Sequence, residues 1–111
     1  MQYKIEKATK SDLQSILSLN EDSIPSVSSS NLEMMKHFLI ICDYFKVCKI
    51  KGELVGFLNA LLPQKDYNSE HYKWFHNQYD LFIYVDRIVL NKSYQNQGCG
   101  TMLYTDLINS I

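Results

Sequence analysis

Between an apolar run, Leu81 to Leu90, and a helical pattern, Met102 to Ile111, lies the stretch Tyr94-Gln95-Asn96-Gln97-Gly98-Cys99-Gly100-Thr101, which restricts the fold of this chain more than any other. A strand that turns through small and amide residues into a helix opening on glycines builds an anion cradle. About four backbone N–H groups at a helix N-terminus lack internal partners, and the aligned peptide dipoles place roughly half a positive charge there, so main chain alone can hold phosphate oxygens. Spacing narrows the kind of cradle. A mononucleotide-binding loop requires G-x-x-x-x-G-K-[ST], and no Gly-Lys-Ser/Thr follows here; a dinucleotide fingerprint requires G-x-G-x-x-G, whereas the order is Gln95-x-x-Gly98-x-Gly100. What remains is Q-x-x-G-x-G directly after a strand. A tight turn without any ligand is the competing reading.

The segments upstream alternate between strand and helix signals. Tyr3 to Ala8 alternates apolar and charged residues as a half-buried strand does, and Thr9 or Ser11 can cap a helix carrying Leu13, Ile16 and Leu17 on one stripe and ending near Asn20. Glu21 to Ser30 is polar and contains Pro25, hence a loop. Asn31 or Ser30 caps a second helix with two stripes, Leu32, Met35, Leu39, Cys42 and Met34, Phe38, Ile41, which predicts burial over a broad face. Phe45 to Ile50 and Glu53 to Leu61 flank Lys51-Gly52 as a β-hairpin, and Lys65 to Asp80 is a loop with a short helix, since Tyr72, Phe75 and Tyr79 fall at helical spacing. The order of strand, helix, helix, hairpin, strand, helix predicts an α/β (α+β) fold with a central sheet flanked by helices.

Composition excludes several classes of function. A net charge of -1 without a basic block lacks the footprint of a nucleic-acid binder. No apolar run approaches the ~20 residues of a membrane span, and the N-terminus has no long apolar signal region, so the expectation is a cytoplasmic protein without a membrane partner. Three cysteines, Cys42, Cys48 and Cys99, have no C-x-x-C spacing, which points to reduced thiols and to neither a disulfide frame nor a zinc site. His71 and His76 sit five apart, not at the i,i+4 spacing of a helical metal pair, so no metal is expected. Cys99 is expected as a small buried side chain facing the sheet.

The run Ile88-Val89-Leu90-Asn91-Lys92-Ser93-Tyr94-Gln95-Asn96-Gln97-Gly98-Cys99-Gly100 resembles the coenzyme A pyrophosphate signature of the GNAT superfamily of N-acetyltransferases, an apolar strand end, a short turn and R/Q-G-x-G-x-G. Lys92 stands where Pro is frequent and Asn96 where a first Gly is usual; Asn tolerates a left-handed backbone better than other non-glycine residues. Asn20-Glu21, then Pro25-x-x-Ser28, and the Asp86-Arg87 pair resemble a branch of predicted acetyltransferases. The resemblance implies a GNAT-like mixed sheet in a single domain over residues 1–111, with acetyl-CoA as acyl donor, no metal, and a small amine or peptide as acceptor. It places the pantetheine arm against the backbone of Ile88, Val89 and Leu90, and the pyrophosphate against Gln95, Asn96, Gln97, Gly98, Cys99, Gly100 and Thr101. Gln95 brings no charge, so the helix dipole and Lys92 must neutralise more.

For chemistry, a carboxylate must take a proton from the acceptor amine directly or through water. Asp86 is the first candidate, because an ionised residue inside an apolar strand is costly unless paired or functional. Structural pairing of Asp86 with its neighbours is the alternative; adjacent strand residues face opposite ways, so Asp86 and Arg87 are not expected to satisfy each other. Glu21, on a loop that borders the acceptor in similar proteins, is the second candidate. Tyr67, Tyr72 and Trp74 could wall an acceptor pocket or simply pack. Family members continue with a further strand, a helix bearing a proton-donating tyrosine and a hairpin, so the chain is expected to be C-terminally truncated, lacking the C-terminal strands and helix: a fragment, or one completed in a homo-oligomer or by a complementing chain. The alternative function is a non-catalytic acyl-CoA-binding or interaction module.

Overall fold

The computed structural model describes residues 2–95 and 98–110. Four strands, β1 (Lys4–Lys7), β2 (Tyr44–Ile50), β3 (Glu53–Leu61) and β4 (Tyr84–Leu90), form one sheet in the order β1-β2-β3-β4 with every neighbouring pair antiparallel. The β2–β3 hairpin closes as its sequence demands: Lys51 and Gly52 take φ of 51° and 80°, the positive values that two-residue turns need to match strand twist. Within the described residues β4 pairs on one side only, which leaves its outer edge to face other elements.

Two helices cover one face. A 3₁₀ turn, Lys10–Asp12, in which the Thr9 amide donates to Asp12 Oδ2 at 2.9 Å, leads into α1 (Leu13–Glu21). Asn31, not Ser30, caps α2 (Leu32–Ile41) by accepting from the Met34 amide at 2.8 Å. Leu13, Ile16 and Leu19 of α1 and Met35, Phe38 and Ile41 of α2 meet Phe45, Val47, Phe57, Leu61 and Val89 of the sheet. The opposite face packs Cys99, Leu103 and Leu107 of α4 (Cys99–Ser110) on Tyr44, Cys48, Ile50, Leu58 and Ala60. Cys99 is buried there, as its size and setting predict.

Two boundaries and one burial pattern differ from the sequence pattern. The helix expected from Met102 already begins at Cys99, and its expected last residue, Ile111, lies outside the described residues. β4 begins at Tyr84 rather than Leu81, whose side chain is 82% exposed, because apolar character does not by itself supply a pairing partner. Burial on α2 is narrower than its two stripes implied: Met35, Phe38 and Ile41 are buried and Leu39 and Cys42 half-buried, whereas Leu32 and Met34, in its first turn, are exposed. The short helix expected in the loop is α3 (Glu70–Gln78), capped by Ser69. Its Tyr72 is buried, donates to the Leu62 carbonyl and accepts from the Lys65 amide at 3.0 Å. Among the described residues no helix is long and apolar enough to cross a membrane, and no cluster of His, Cys, Asp and Glu could hold a metal ion.

Candidate functional site

The register between β3 and β4 slips by one residue: Asn59 lies opposite Arg87 but Ala60 lies opposite Val85, so Asp86 is an extra residue, a β-bulge. The slip interrupts the two-residue alternation of side chains. Asp86 and Arg87 therefore turn toward the same face and bond to each other, Arg87 Nε to Asp86 Oδ2 at 2.7 Å, which corrects the expectation that neighbours on a strand do not satisfy one another.

This pair is sunk in the α1–α2 face, with side chains 5% (Asp86) and 7% (Arg87) exposed, and its polar atoms are matched. Asp86 Oδ1 accepts from the Tyr67 hydroxyl at 2.5 Å and Oδ2 from Asn59 Nδ2 at 3.4 Å. Asn59 Oδ1 in turn accepts the Arg87 amide at 3.1 Å, the backbone donor beside the bulge. Burial by itself would drive the Arg87 guanidinium toward losing its proton, and the Asp86 carboxylate with Tyr67 outweighs it, so the pKa lies above the ordinary value. Burial first, then the bond to Asp86, raise the Tyr67 phenol. The loop bearing Tyr67 is held from α2, where His37 Nε2 donates to the Asp66 carbonyl at 2.7 Å, and the Tyr67 ring packs edge-on against Phe38 at 5.5 Å.

From Arg87 the network runs into the end of α1. Arg87 Nη1 donates to Asn20 Oδ1 at 3.0 Å and to the Ser28 carbonyl at 3.3 Å; the Asn20 amide donates to Glu21 Oε2 at 2.9 Å and to the same carbonyl at 3.1 Å. Glu21 also accepts from Ser29 Oγ at 2.6 Å and the Ser30 amide at 3.1 Å. The Ser29 hydroxyl foremost, with Asn20 and the Ser30 amide, keeps the Glu21 carboxyl below its usual range.

The loop thus folded back leaves a groove of about 280 Å³ between its residues 22–27 and the β4 edge at Ile88, Val89 and Leu90, with Lys92 and Gln95 at the cradle end. A neighbouring hollow of about 320 Å³ shares Asp22, Ser23, Leu90 and Lys92. Of the predicted cradle, Gly98 has φ 88° with open space where a side chain would project, and its carbonyl accepts the Met102 amide at 2.9 Å in the first turn of α4. Gly100 lies close to Leu90: a Cβ there would meet its Cδ1 at 3.3 Å. Thr101 is exposed, Cys99 faces inward, and Asn96 and Gln97 lie outside the described residues.

Two of the predicted sets line the groove, Ile88 to Leu90 along it and Gln95 at its end, while Asp86 lies outside its lining, at the bulge two positions earlier in β4. Glu21 joins Asp86 only through Asn20 and Arg87. The sequence did not single out Asn59, although it carried a signal, an amide in the middle of the otherwise apolar Val55 to Leu61; Asn20 was named beside Glu21 in the resemblance, but its bond to Arg87 was not expected.

The sequence model of the Acetyltransferase (GNAT) family matches residues 6–110, and the chain belongs to that family. No curated protein matches it by sequence. The fold is similar to Arabidopsis thaliana NAA60 in complex with a bisubstrate analogue, at TM-score 0.74 and 17% identity over 98% of this chain and 66% of that one. It is similar to aminoglycoside 6'-N-acetyltransferase AAC(6')-Ih from Acinetobacter baumannii, at TM-score 0.71 and 16% identity over 96% of this chain and 69% of that one. AAC(6')-Iy in complex with the bisubstrate analogue CoA-S-monomethyl-acetylneamine gives TM-score 0.71 and 16% identity over 98% of this chain and 71% of that one.

Proposed function

We propose that the chain is an acetyl-CoA-dependent N-acetyltransferase that acts on a primary amine. The observation that carries this reading is the groove between the α1–α2 loop and the edge of β4, which runs from Ile88 to Lys92 and Gln95, with Asp86 two residues before Ile88 in the strand. The residues present fit acyl-CoA. The outer edge of β4, unpaired among the described residues, offers amide and carbonyl groups to a pantetheine arm. Gly98, with open space where its Cβ would be, lets a pyrophosphate approach the N-terminus of α4. Lys92 supplies the positive charge that Gln95 does not.

Acetyl-CoA brings an activated thioester; the chain must position it and accept a proton from the amine. Asp86 is the base in this reading. Because its carboxylate is buried, the half-buried Tyr67 phenol is its outward partner, and a proton delivered to the Tyr67 oxygen as the phenol proton moves to Asp86 Oδ1 balances the transfer. Glu21, kept ionised by its three donors, borders the acceptor side as a fixed negative charge.

One observation favours a second reading, a non-catalytic acyl-CoA-binding module. Both Asp86 oxygens are already engaged by Arg87, Asn59 and Tyr67, as in a structural ion pair. Two measurements separate the readings. Thermal unfolding with acetyl-CoA at about a hundred times its dissociation constant should add about 2.7 kcal/mol to the folded state under either. Release of free thiol from acetyl-CoA in the presence of an amine panel should occur only under the first, and binding without any thiol release leaves the module. No stabilisation at millimolar acetyl-CoA defeats both.

A further inference from the structure

The wall of the groove formed by residues 22–27 belongs to no helix or strand. Local turns, Asp22 N–H to the Ser18 carbonyl and Val27 N–H to the Ser23 carbonyl, give the loop curvature but do not say how far it stands from β4. Val27 adds an apolar contact with the core below. The polar fastening is Arg87. Its guanidinium reaches four acceptors from one plane: Asp86 Oδ2 on its own strand, Asn20 Oδ1 at the end of α1, and the Ser28 carbonyl and hydroxyl at the far end of the loop. Phe38 of α2 lies under it, 5.5 Å from ring centroid to Cζ. Asn20 closes the figure by donating to the same Ser28 carbonyl and to Glu21. Both ends of the loop are therefore tied to one point on β4, immediately before the strand residues that line the groove.

We propose that Asn20 and Arg87 are positioning residues that set the width of the acyl-CoA groove by pinning the α1–α2 loop to β4; this rests on the acyl-CoA reading given above. Only a guanidinium fills the role, because a planar fork of five donors fixes acceptors in several directions, whereas an ammonium supplies the charge without the fork. The fastening has a second consequence: the group that holds the loop also holds Asp86, so the groove wall and the candidate base share one anchor.

The test is titration of coenzyme A into the wild-type chain and into R87K, N20A and L107A, with amide hydrogen exchange followed over residues 22–30. R87K keeps a charge beside Asp86 and loses the fork. In R87K and N20A the dissociation constant should rise about tenfold to a hundredfold, as expected when a binding wall shifts, with faster exchange in the loop. L107A weakens the core under α4, away from the loop, and should leave the constant within about twofold, since distant sites act independently. N20D keeps the acceptor for Arg87 and removes the amide that donates to the Ser28 carbonyl and to Glu21. It should weaken binding as N20A does, and it keeps the test alive should R87K fail to fold. Wild-type affinity and exchange in both R87K and N20A, or in N20A and N20D should R87K not fold, overturns the proposal. Coenzyme A without measurable binding to the wild-type chain defeats the acyl-CoA reading itself, and the groove assignment with it.

Discussion

The two faces of the sheet are each covered by amphipathic helix, yet they are filled with different chemistry. Under α4 the contacts are mostly apolar: Leu58 and Ala60 meet Leu103 and Leu107, burial pushes up the pKa values of the Cys48 and Cys99 thiols, which therefore stay protonated, and the hydroxyl of buried Tyr44 lies 3.3 Å from the Leu103 carbonyl. Its charged groups lie at the rim, where Lys46 and the Tyr44 hydroxyl both bond Asp106. Under α1 and α2 the face is apolar toward β2 but holds Asn20, Asn59, Asp86 and Arg87 toward β4. A buried ion pair gains little over apolar packing of the same volume, so this set is weak evidence of a device for stability. It sits instead where the groove ends. The lesson is local: the face that only has to hold uses methylene groups, and the face that borders the candidate site accepts desolvated charge and then satisfies nearly every atom of it.

Four measurements break or sharpen this contrast. The largest effect is expected from Asp86→Asn, which keeps shape and hydrogen-bond acceptance but removes the base: turnover should fall about a hundredfold to ten-thousandfold while coenzyme A still binds. Full activity in D86N would assign Asp86 to structure alone and erase the difference between the faces. Next is Arg87→Ala, which strands a buried carboxylate. Urea unfolding should show a loss of about 3–5 kcal/mol, and a loss below about 1 kcal/mol would mean that water reaches Asp86.

The α4 face is probed by Gly56→Ala. A Cβ on Gly56 would meet Leu90 Cδ2 at 2.8 Å and the Val89 carbonyl oxygen at 3.1 Å. Leu90 can turn aside but the carbonyl cannot, so a cost of about 1–3 kcal/mol is expected from overpacking. Because Leu90 and Val89 also line the groove, coenzyme A affinity should weaken too, which would show that the two faces are coupled through β4.

The smallest effect concerns the rim. Burial works to raise the Asp12 pKa, but the Thr9 amide and Lys49, at 3.1 Å, win and hold it below its ordinary value of 3.8. The unfolded chain therefore binds this proton first. Stability from Asp12 is complete above the unfolded value and is lost as pH falls through the lower, folded one. Urea titrations between about pH 5 and pH 2 should show a shallower acid limb in D12N than in wild type; identical slopes would place the acid sensitivity elsewhere.

Several of the residues concerned were legible before any coordinates. The Lys51-Gly52 hairpin, the Asn31 cap, the short helix through Tyr72 and the strand-to-helix passage at Gly98 and Gly100 are local, decided by backbone preference and by side chains within a few residues, and a linear sequence displays such terms directly. The apolar stripe of α1, with Leu13 and Ile16, declared which side would be buried. Asp86 stood out because a charge inside an apolar strand demands a partner. The partner itself could not be read, since alternation sends Arg87 to the other face, and only the one-residue slip opposite Asn59 and Ala60 returns it. Nor could sequence spacing show that Asn20 and Ser28 would meet Arg87, 67 and 59 positions away. The order of residues was enough for the elements, for the caps of α2 and the hairpin turn, and for the strand-to-helix passage at Gly98, because these are short-range effects repeated along the chain. The bulge, the shared anchor at Arg87 and the width of the groove came only with the packed layers, because each depends on which distant acceptors a buried guanidinium finds when those layers close.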